Sequence, residues 1–193
     1  MAGSDPFDVL GLPARFDLDE KEIESRYREL SRVLHPDRHV GKPPAERRLI
    51  LGKAMEVNEA ARVLRDPVAR ASALLGRRGV SPATQKGEAK ADPEFLMWMM
   101  EVREALSEAR SRRDAARVGR LAFEVRGREA EVLRALSAGL ADGESDPHAL
   151  AALIGRLRYF RRFLDEVSSI EDELLASGGG TSGSIDASGS AGC

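Results

Sequence analysis

Cysteine, aromatic residues and strand-favouring residues are all scarce in this chain of 193 residues. The single cysteine, Cys193, is the last residue, which excludes an internal disulfide framework and a cysteine-rich metal site. Aromatic residues make up 5% of the chain, and 12 valines, 5 isoleucines and 2 threonines stand against 27 alanines and 22 leucines. Because strands favour β-branched and aromatic side chains whereas alanine and leucine favour helices, the composition predicts an all-α fold.

Long apolar runs and a strong excess of one charge are also absent. No apolar run approaches the roughly 18 residues of a membrane-spanning helix, and residues 1–19 show no basic start followed by an apolar stretch. We therefore expect a cytoplasmic protein that does not bind membranes. The chain has 30 basic and 32 acidic residues. Since no segment long enough to fold is strongly basic, nucleic-acid binding is not expected.

Four Asp-Pro pairs mark predicted helix starts. They lie at Asp5, Asp66, Asp92 and Asp146. Aspartate is a favourable N-cap, and proline suits the first helical position because the N–H that it lacks would have no helical partner. The pairs and the composition between them predict four regions: a helical domain over residues 1–76, a polar linker over 77–91, a three-helix bundle over 92–176, and a disordered Gly/Ser-rich tail over 177–193.

The three longest helical patterns lie in the second half of the chain. They run from about residue 92 to 113, from about 114 to 138 with a stop at Gly139, and from 146 to about 175. The spacing of apolar residues in the last pattern alternates between three and four, with one interruption at Glu171, as in a helix of an antiparallel bundle. The residues of that stripe are Leu150, Leu153, Leu157, Phe160, Leu164, Val167 and Leu174.

A short loop joins the second and third predicted helices and carries His35, Pro36, Asp37 and Arg38. Both helices have matched apolar faces, so they are expected to pair as an antiparallel hairpin with this loop at its exposed tip. The second helix begins near Asp17 or Asp19. It also carries Arg26, Arg28 and Arg32, of which Arg28 and Arg32 share one face because they are four residues apart.

Two other interpretations of the loop are open. In one, His35 and Asp37 only cap helix ends, which leaves the proline and the arginine face unexplained. In the other, His35 and His39 bind a metal ion. An i, i+4 histidine pair needs one continuous helical face, and Pro36 interrupts the helix between the two rings, so a metal site is not expected.

The N-terminal region resembles a J-domain. The matching segments are residues 5–12, 27–30, 35–38, 58–60 and 64–67. The resemblance implies binding to a seventy-kilodalton heat-shock chaperone and stimulation of its ATPase. The implied contact residues are His35, Pro36, Asp37, Arg38, Tyr27, Arg28 and Arg32. Glu29 stands where many J-domains have a basic residue, and we expect this change to narrow the choice of chaperone.

Six consecutive apolar residues, 95–100, open the first helix of the bundle. At about 100° per residue they surround the helix, so one stripe faces the core and the rest face away. The predicted inward stripe is Phe95, Met99, Val102, Leu106 and Ala109. Trp98 is placed at its edge, and Leu96, Met97 and Met100 point outward with Glu101 and Glu104. These outward residues form either a docking surface or a surface that another helix covers.

A J-domain, a linker and a three-helix bundle together resemble the HscB family of iron–sulfur co-chaperones. Residues 92–97 and 101–104 are similar to that family's first bundle helix, and residues 157–160 to its last. The resemblance implies an HscA-like chaperone as one partner and an IscU-like iron–sulfur scaffold protein as the other. The implied scaffold-binding residues are Leu96, Met97, Met100, Glu101, Glu104 and Tyr159.

The same resemblance implies neither a catalytic residue nor a cofactor or metal ion. Two alternatives remain open at this point. One is a J-domain co-chaperone with a different client, and the other is a helical adaptor without chaperone activity. Stimulation of a chaperone ATPase separates the adaptor from the co-chaperones, and binding of the scaffold separates the two clients.

Overall fold

The computed structural model describes residues 4–80 and 92–178, which form seven α-helices and one short 3₁₀ helix. In chain order these are α1 (Pro6–Leu10), α2 (Glu20–Val33), the 3₁₀ helix (Pro36–His39), α3 (Pro44–Arg65), α4 (Pro67–Arg77), α5 (Pro93–Ser111), α6 (Ala115–Asp142) and α7 (Pro147–Gly178). The described ranges contain no strand, and the predicted all-α fold is confirmed. Most of the predicted linker and nearly all of the predicted tail lie outside the described residues.

Aspartate caps begin four elements as the sequence predicts. The carboxylates of Asp5, Asp19, Asp66 and Asp146 each accept a hydrogen bond from the backbone N–H two residues later, at 2.8–3.0 Å. Each bond satisfies one of the N–H groups that a helix start leaves without a partner. Of the two candidates for the start of α2, Asp19 is therefore the cap.

The described chain divides into two compact units. The first unit takes the described residues up to Asp92 together with Glu129–Arg158, and the second takes Pro93–Arg128 together with the described residues from Tyr159 onward. Helices α6 and α7 contribute residues to both units. Among the helices of the described ranges, none combines the length and apolar character that crossing a membrane requires.

The first unit is built around α3, against which α1, α2 and α4 pack. The α2–α3 hairpin is present as predicted from the sequence. The largest buried side chains of the unit are Phe7, Leu10, Ile23, Leu64, Leu75, Leu136, Ile154 and Leu157. Three of these residues belong to α6 and α7, which contribute Glu129–Arg158 to this unit. Two hydrogen bonds join α6 to the N-terminal helices and loops: Arg78 Nη2 donates to the carbonyl oxygen of Leu140 at 2.8 Å, and Ser137 Oγ donates to Asp17 at 2.6 Å.

The second unit holds α5 with parts of α6 and α7, and aromatic rings fill its core. The ring centroids of Phe95 and Phe160 lie 5.5 Å apart in an edge-to-face arrangement, which is a favourable geometry for two aromatic rings. Ion pairs between exposed side chains also join α5 to α7. Arg103 meets Glu166 at 3.0 Å, and Arg110 meets Glu173 at 2.7 Å.

The predicted end of α6 at Gly139 is wrong, because the helix continues to Asp142. Gly143 follows with φ 74°, the left-handed conformation that ends many helices. Gly139 serves a different purpose. A Cβ atom at this position would lie 2.7 Å from Cδ2 of Leu150, so the missing side chain allows the start of α7 to pack closely on α6.

The predicted apolar stripe of α7 is only partly correct. The fully buried positions are Leu150, Ile154, Leu157, Phe160, Phe163, Val167 and Ile170. Leu153, Leu164 and Leu174 are half-buried instead. The sequence pattern could not choose between these stripes because both 153–154 and 163–164 are pairs of adjacent apolar residues. The buried stripe is not interrupted at Glu171 as predicted, because Ile170 occupies the inward position there.

Candidate functional site

The loop between α2 and α3 is one 3₁₀ turn that His35 caps. Nδ1 of His35 accepts a hydrogen bond from the backbone N–H of Asp37 at 3.3 Å. A neutral imidazole that accepts through Nδ1 carries its proton on Nε2, which is then a hydrogen-bond donor. The His35 side chain is 57% exposed. His35 thus caps the turn, as the capping interpretation states. This cap leaves the second ring nitrogen of His35 available to a partner.

Two side chains fix this loop to the end of α2. Arg38 Nη1 donates to the carbonyl oxygen of Arg32 at 3.2 Å, and His39 Nε2 lies 2.8 Å from the carbonyl oxygen of Val33. These carbonyls belong to the last turn of α2, where intrahelical donors run out. A positive charge is also favourable there. The loop is therefore held in one conformation while Asp37 stays exposed.

The His39 contact also bears on the metal hypothesis. Its ring is turned toward the end of α2, whereas His35 engages the backbone of the 3₁₀ turn. Within residues 4–80 and 92–178, no group of three or more His, Cys, Asp or Glu side chains is arranged to hold a metal ion. The two histidines thus make separate helix-end contacts.

The exposed face of α2 carries a basic stripe. Lys21, Ser25, Arg28 and Arg32 recur at steps of four, three and four and line one shallow, open surface, which Glu20, Glu24 and Glu29 also line. Arg28 pairs with Glu24 at 3.1 Å. The Arg32 side chain has no ion-pair partner in the described part of the chain, so its charge is available. The sequence predicted Arg28 and Arg32 and missed Lys21, which the same spacing identifies.

Tyr27 differs from the other predicted chaperone-binding residues because it contributes to packing. It is half-buried, and the Arg65 guanidinium lies 4.7 Å from its ring centroid. Arg65 also binds Glu24 at 2.7 Å and thereby joins α3 to α2. Hydrogen bonds from Arg65 and then from Arg28 lower the pKa of the Glu24 carboxyl below its ordinary value of 4.5.

Glu29, the departure from the J-domain pattern, is neutralised within the domain. Arg26 Nη1 donates to its carboxylate at 2.8 Å. Arg26 Nε donates to the carbonyl oxygen of Leu10 at 3.2 Å and so ties α2 to the end of α1. Arg26 is therefore a structural residue, and the exposed basic stripe of α2 does not include it.

The inward stripe predicted for α5 is confirmed. All five of its residues are buried: Phe95, Met99, Val102, Leu106 and Ala109. On the other side, Met97 and Met100 are 63% and 72% exposed, and Leu96 is half-buried. In the described residues no helix covers the two methionines, so the interpretation that they are buried under a neighbouring element is wrong.

Trp98 lies at the edge of the core stripe, as predicted, and α6 covers it. The guanidinium of Arg128 lies 3.9 Å from the indole ring centroid, and Nε1 of Trp98 donates to Glu124 at 3.2 Å. The stacked cation covers the ring face, and the carboxylate satisfies the indole N–H. Trp98 is thus removed from the exposed apolar surface of α5.

A groove of about 210 Å³ separates α5 from α7 beside the exposed methionines. We call it the α5–α7 groove. Its lining residues are Leu96, Met99, Met100, Arg103, Tyr159 and Arg162. Three predicted scaffold-binding residues, Leu96, Met100 and Tyr159, therefore meet at one place although 59 residues separate the last two in sequence.

The other three predicted scaffold-binding residues lie outside the groove. Met97, Glu101 and Glu104 form the next stripe around α5, at steps of four and three. All three are exposed. The sequence analysis missed Arg103 and Arg162. Helical spacing was the available signal, since Arg103 lies three residues after Met100 and Arg162 three after Tyr159.

Comparison with known families gives two matches that together span most of the described helices. A family model described as DnaJ domain matches residues 5–72. A second, described as HSCB C-terminal oligomerisation domain, matches residues 91–168.

Individual relatives match much of the chain as well. A protein named co-chaperone protein HscB homolog from Azoarcus sp. is 36% identical over 170 residues, which covers 88% of this chain and 95% of that protein. A protein of the same name from Bordetella petrii is 46% identical over 116 residues, which covers 60% of this chain and 66% of that protein. The solved structure of chaperone HscB from Vibrio cholerae matches with a TM-score of 0.78 and 31% identity over 89% of this chain and all of that one.

Proposed function

Because the chain belongs to the HscB family of co-chaperones, we propose that it works in iron–sulfur cluster biogenesis. In this proposal it stimulates the ATPase of a chaperone resembling HscA and delivers to it a scaffold protein resembling IscU. Residues 1–76 act as the J-domain and residues 92–176 bind the scaffold, whereas the linker over 77–91 and the tail over 177–193 carry neither site. The chain acts by binding in the cytoplasm and contributes no catalytic residue or cofactor.

The observation that carries the scaffold part of the proposal is the surface around the α5–α7 groove. Apolar side chains that are exposed together, with charged residues at the border, are typical of protein-docking sites. Methionine suits such a surface because its flexible side chain adapts to a partner. Met97 and Met100 are exposed here, and the core of the unit is complete without them.

The chaperone part of the proposal is supported by the loop and stripe at the other end of the chain. His35, Asp37 and Arg32 are exposed on a loop that two side-chain contacts hold against α2. A fixed loop presents its donors without the entropy cost of ordering them on binding. The basic stripe of α2 extends this surface and favours an acidic partner surface.

The experiment that tests the proposal measures steady-state ATP hydrolysis by the HscA-like chaperone of the same organism. The chaperone is assayed alone, with this chain, with the scaffold, and with both. The proposal predicts stimulation by this chain and a further increase when the scaffold is also present. Stimulation that the scaffold leaves unchanged would indicate a different client. No stimulation at all would favour an adaptor without chaperone activity.

A further inference from the structure

We propose that Arg162, on the α7 side of the α5–α7 groove, selects a partner segment that carries a carboxylate beside its apolar anchor. The inference rests on the proposed scaffold binding and defines the chemistry of that contact. Arg162 lines the groove together with Leu96, Met100 and Tyr159. It lies outside the set of residues that the family resemblance implies.

The guanidinium of Arg162 is exposed and has no charged partner among the described residues. The other arginine of the groove, Arg103, donates two hydrogen bonds to one carboxylate oxygen of Glu166, at 3.0 and 3.3 Å. Further along the same helices Arg110 Nη2 donates one hydrogen bond to Glu173 at 2.7 Å. Arg162 makes neither a hydrogen bond nor an ion pair with any described residue. It is therefore the groove's one uncompensated positive charge among the described residues.

Two uncompensated negative charges lie on the opposite border of the apolar surface. Glu101 and Glu104 are exposed on the outer stripe of α5, and neither forms an ion pair within the described ranges. From α5 to α7 the surface thus runs from carboxylates, through Met100 and the groove, to the guanidinium of Arg162. A complementary partner has a basic group opposite α5 and a carboxylate opposite α7.

This polarity determines the orientation of the partner. Like charges placed opposite each other disfavour binding, whereas matched charges steer association and set the register of an interface. A uniformly basic partner surface would match Glu101 and Glu104 but would be repelled by Arg162. The partner segment must therefore change sign across its apolar anchor.

The size of the groove indicates a protein side chain as its occupant. Sites for drug-sized ligands usually enclose about 300–1,000 Å³, and this groove measures about 210 Å³. It fits an apolar side chain from a protein surface. An adjacent carboxylate on that surface reaches Arg162, whose planar guanidinium suits bidentate pairing.

Titration calorimetry with the cluster-free scaffold protein of the same organism tests the proposal. The full chain is compared with four variants: Arg162→Glu, Arg162→Lys, Met100→Ala and Arg126→Glu. Arg126 is the matched control because it is an exposed arginine of α6 that does not line the groove. Circular dichroism melts of each variant show that the folded state is retained.

We expect Arg162→Glu to weaken binding about tenfold or more at about 0.1 M salt, and much less at about 1 M salt, where screening is strong. Arg162→Lys keeps the charge but loses the bidentate geometry, so its affinity should lie between those of the parent and Arg162→Glu. Arg126→Glu should bind like the parent. Replacing scaffold surface carboxylates one at a time by lysine should reveal one position that restores the affinity of Arg162→Glu.

Two results would overturn the proposal in different ways. If the parent binds, Met100→Ala weakens binding and Arg162→Glu matches Arg126→Glu, then the scaffold function stands and the role of Arg162 is refuted. If the parent chain does not bind the scaffold at all, the proposed function fails, and the inference fails with it.

Discussion

Met99 and Met100 are consecutive residues of α5, yet Met99 is 5% exposed and Met100 is 72% exposed. One residue step rotates the direction of a side chain by about 100° around the helix. That rotation moves the thioether from the core of the second unit to the exposed border of the α5–α7 groove. Met99 therefore belongs mainly to the core although it also lines the groove, whereas Met100 contributes its side chain to the exposed surface.

The two alanine variants at these positions should behave in opposite ways. Met99→Ala should lower the free energy of unfolding by about 2–5 kcal/mol because it leaves a cavity in the core. Met100→Ala should change it by less than about 0.5 kcal/mol and should weaken scaffold binding. Denaturant melts and scaffold titrations give both quantities. Equal losses of stability in the two variants would mean that Met100 is buried.

The α5 pattern could be predicted because its inward stripe has no competitor. Phe95, Met99 and Val102 keep a regular spacing, and Glu101 and Glu104 exclude the opposite face after the first turns. On α7 adjacent apolar residues at 163–164 left two stripes equally possible, and only the packing of the other helices selects Phe163. Local sequence patterns identify an apolar face but do not choose between two that overlap.

Contacts between residues that lie far apart in the chain could not be predicted from local sequence patterns. Nothing local to Trp98 indicates that Arg128 stacks on it, or that Tyr159 meets Met100 across a groove. The end of α6 was misplaced for a related reason. Gly139 resembles a helix stop in sequence, and its actual role depends on Leu150, which approaches from the next helix.

His35→Gln should abolish stimulation of the chaperone ATPase without unfolding the protein. The side chain is exposed, so its replacement creates no cavity, and loss of the cap that His35 provides to the Asp37 N–H should cost about 1 kcal/mol. Steady-state ATPase rates and helical circular dichroism are the measurements. His148→Gln is the control, since His148 is also exposed but lies at the start of α7. Normal stimulation by His35→Gln would contradict the assigned role.

Glu24→Gln should destabilise the protein in a pH-dependent way. The folded-state pKa of Glu24 is lowered by Arg65 and Arg28, so the ionised carboxylate stabilises the fold. That stabilisation is present above the ordinary pKa and is lost as the pH falls through the lower folded-state value. The Tm of Glu24→Gln should therefore lie below that of the parent at pH 7, and the gap should narrow below about pH 4.5.

Glu56→Gln is the control for this pH series. Glu56 is exposed on α3 and has no ion-pair partner in the described residues. Its variant should show no gap in Tm that depends on pH. A gap for Glu24→Gln that stays constant from pH 7 to acidic pH would mean that the carboxylate charge contributes nothing to stability.

Two glycines of α6 should respond differently to alanine. At Gly127 an added Cβ meets no atom within 4 Å, so Gly127→Ala should stabilise the helix by about 0.5–1 kcal/mol. At Gly139 the same atom would lie 2.7 Å from Leu150. Gly139→Ala should lose most or all of that gain. Thermal melts of both variants measure the difference. Equal stabilisation would show that Gly139 is not closely packed against Leu150 of α7.

Delivery of the scaffold requires one molecule that carries both docking surfaces, and a mixing experiment tests this requirement most directly. ATP hydrolysis by the HscA-like chaperone is measured at limiting scaffold with His35→Gln, with Met97→Ala/Met100→Ala, and with an equal mixture of the two. The first variant retains scaffold binding and the second retains the chaperone loop. If this chain works by delivery, the mixture should show no more stimulation by the scaffold than the better variant alone. Full recovery of the parent's stimulation in the mixture would contradict delivery by a single chain.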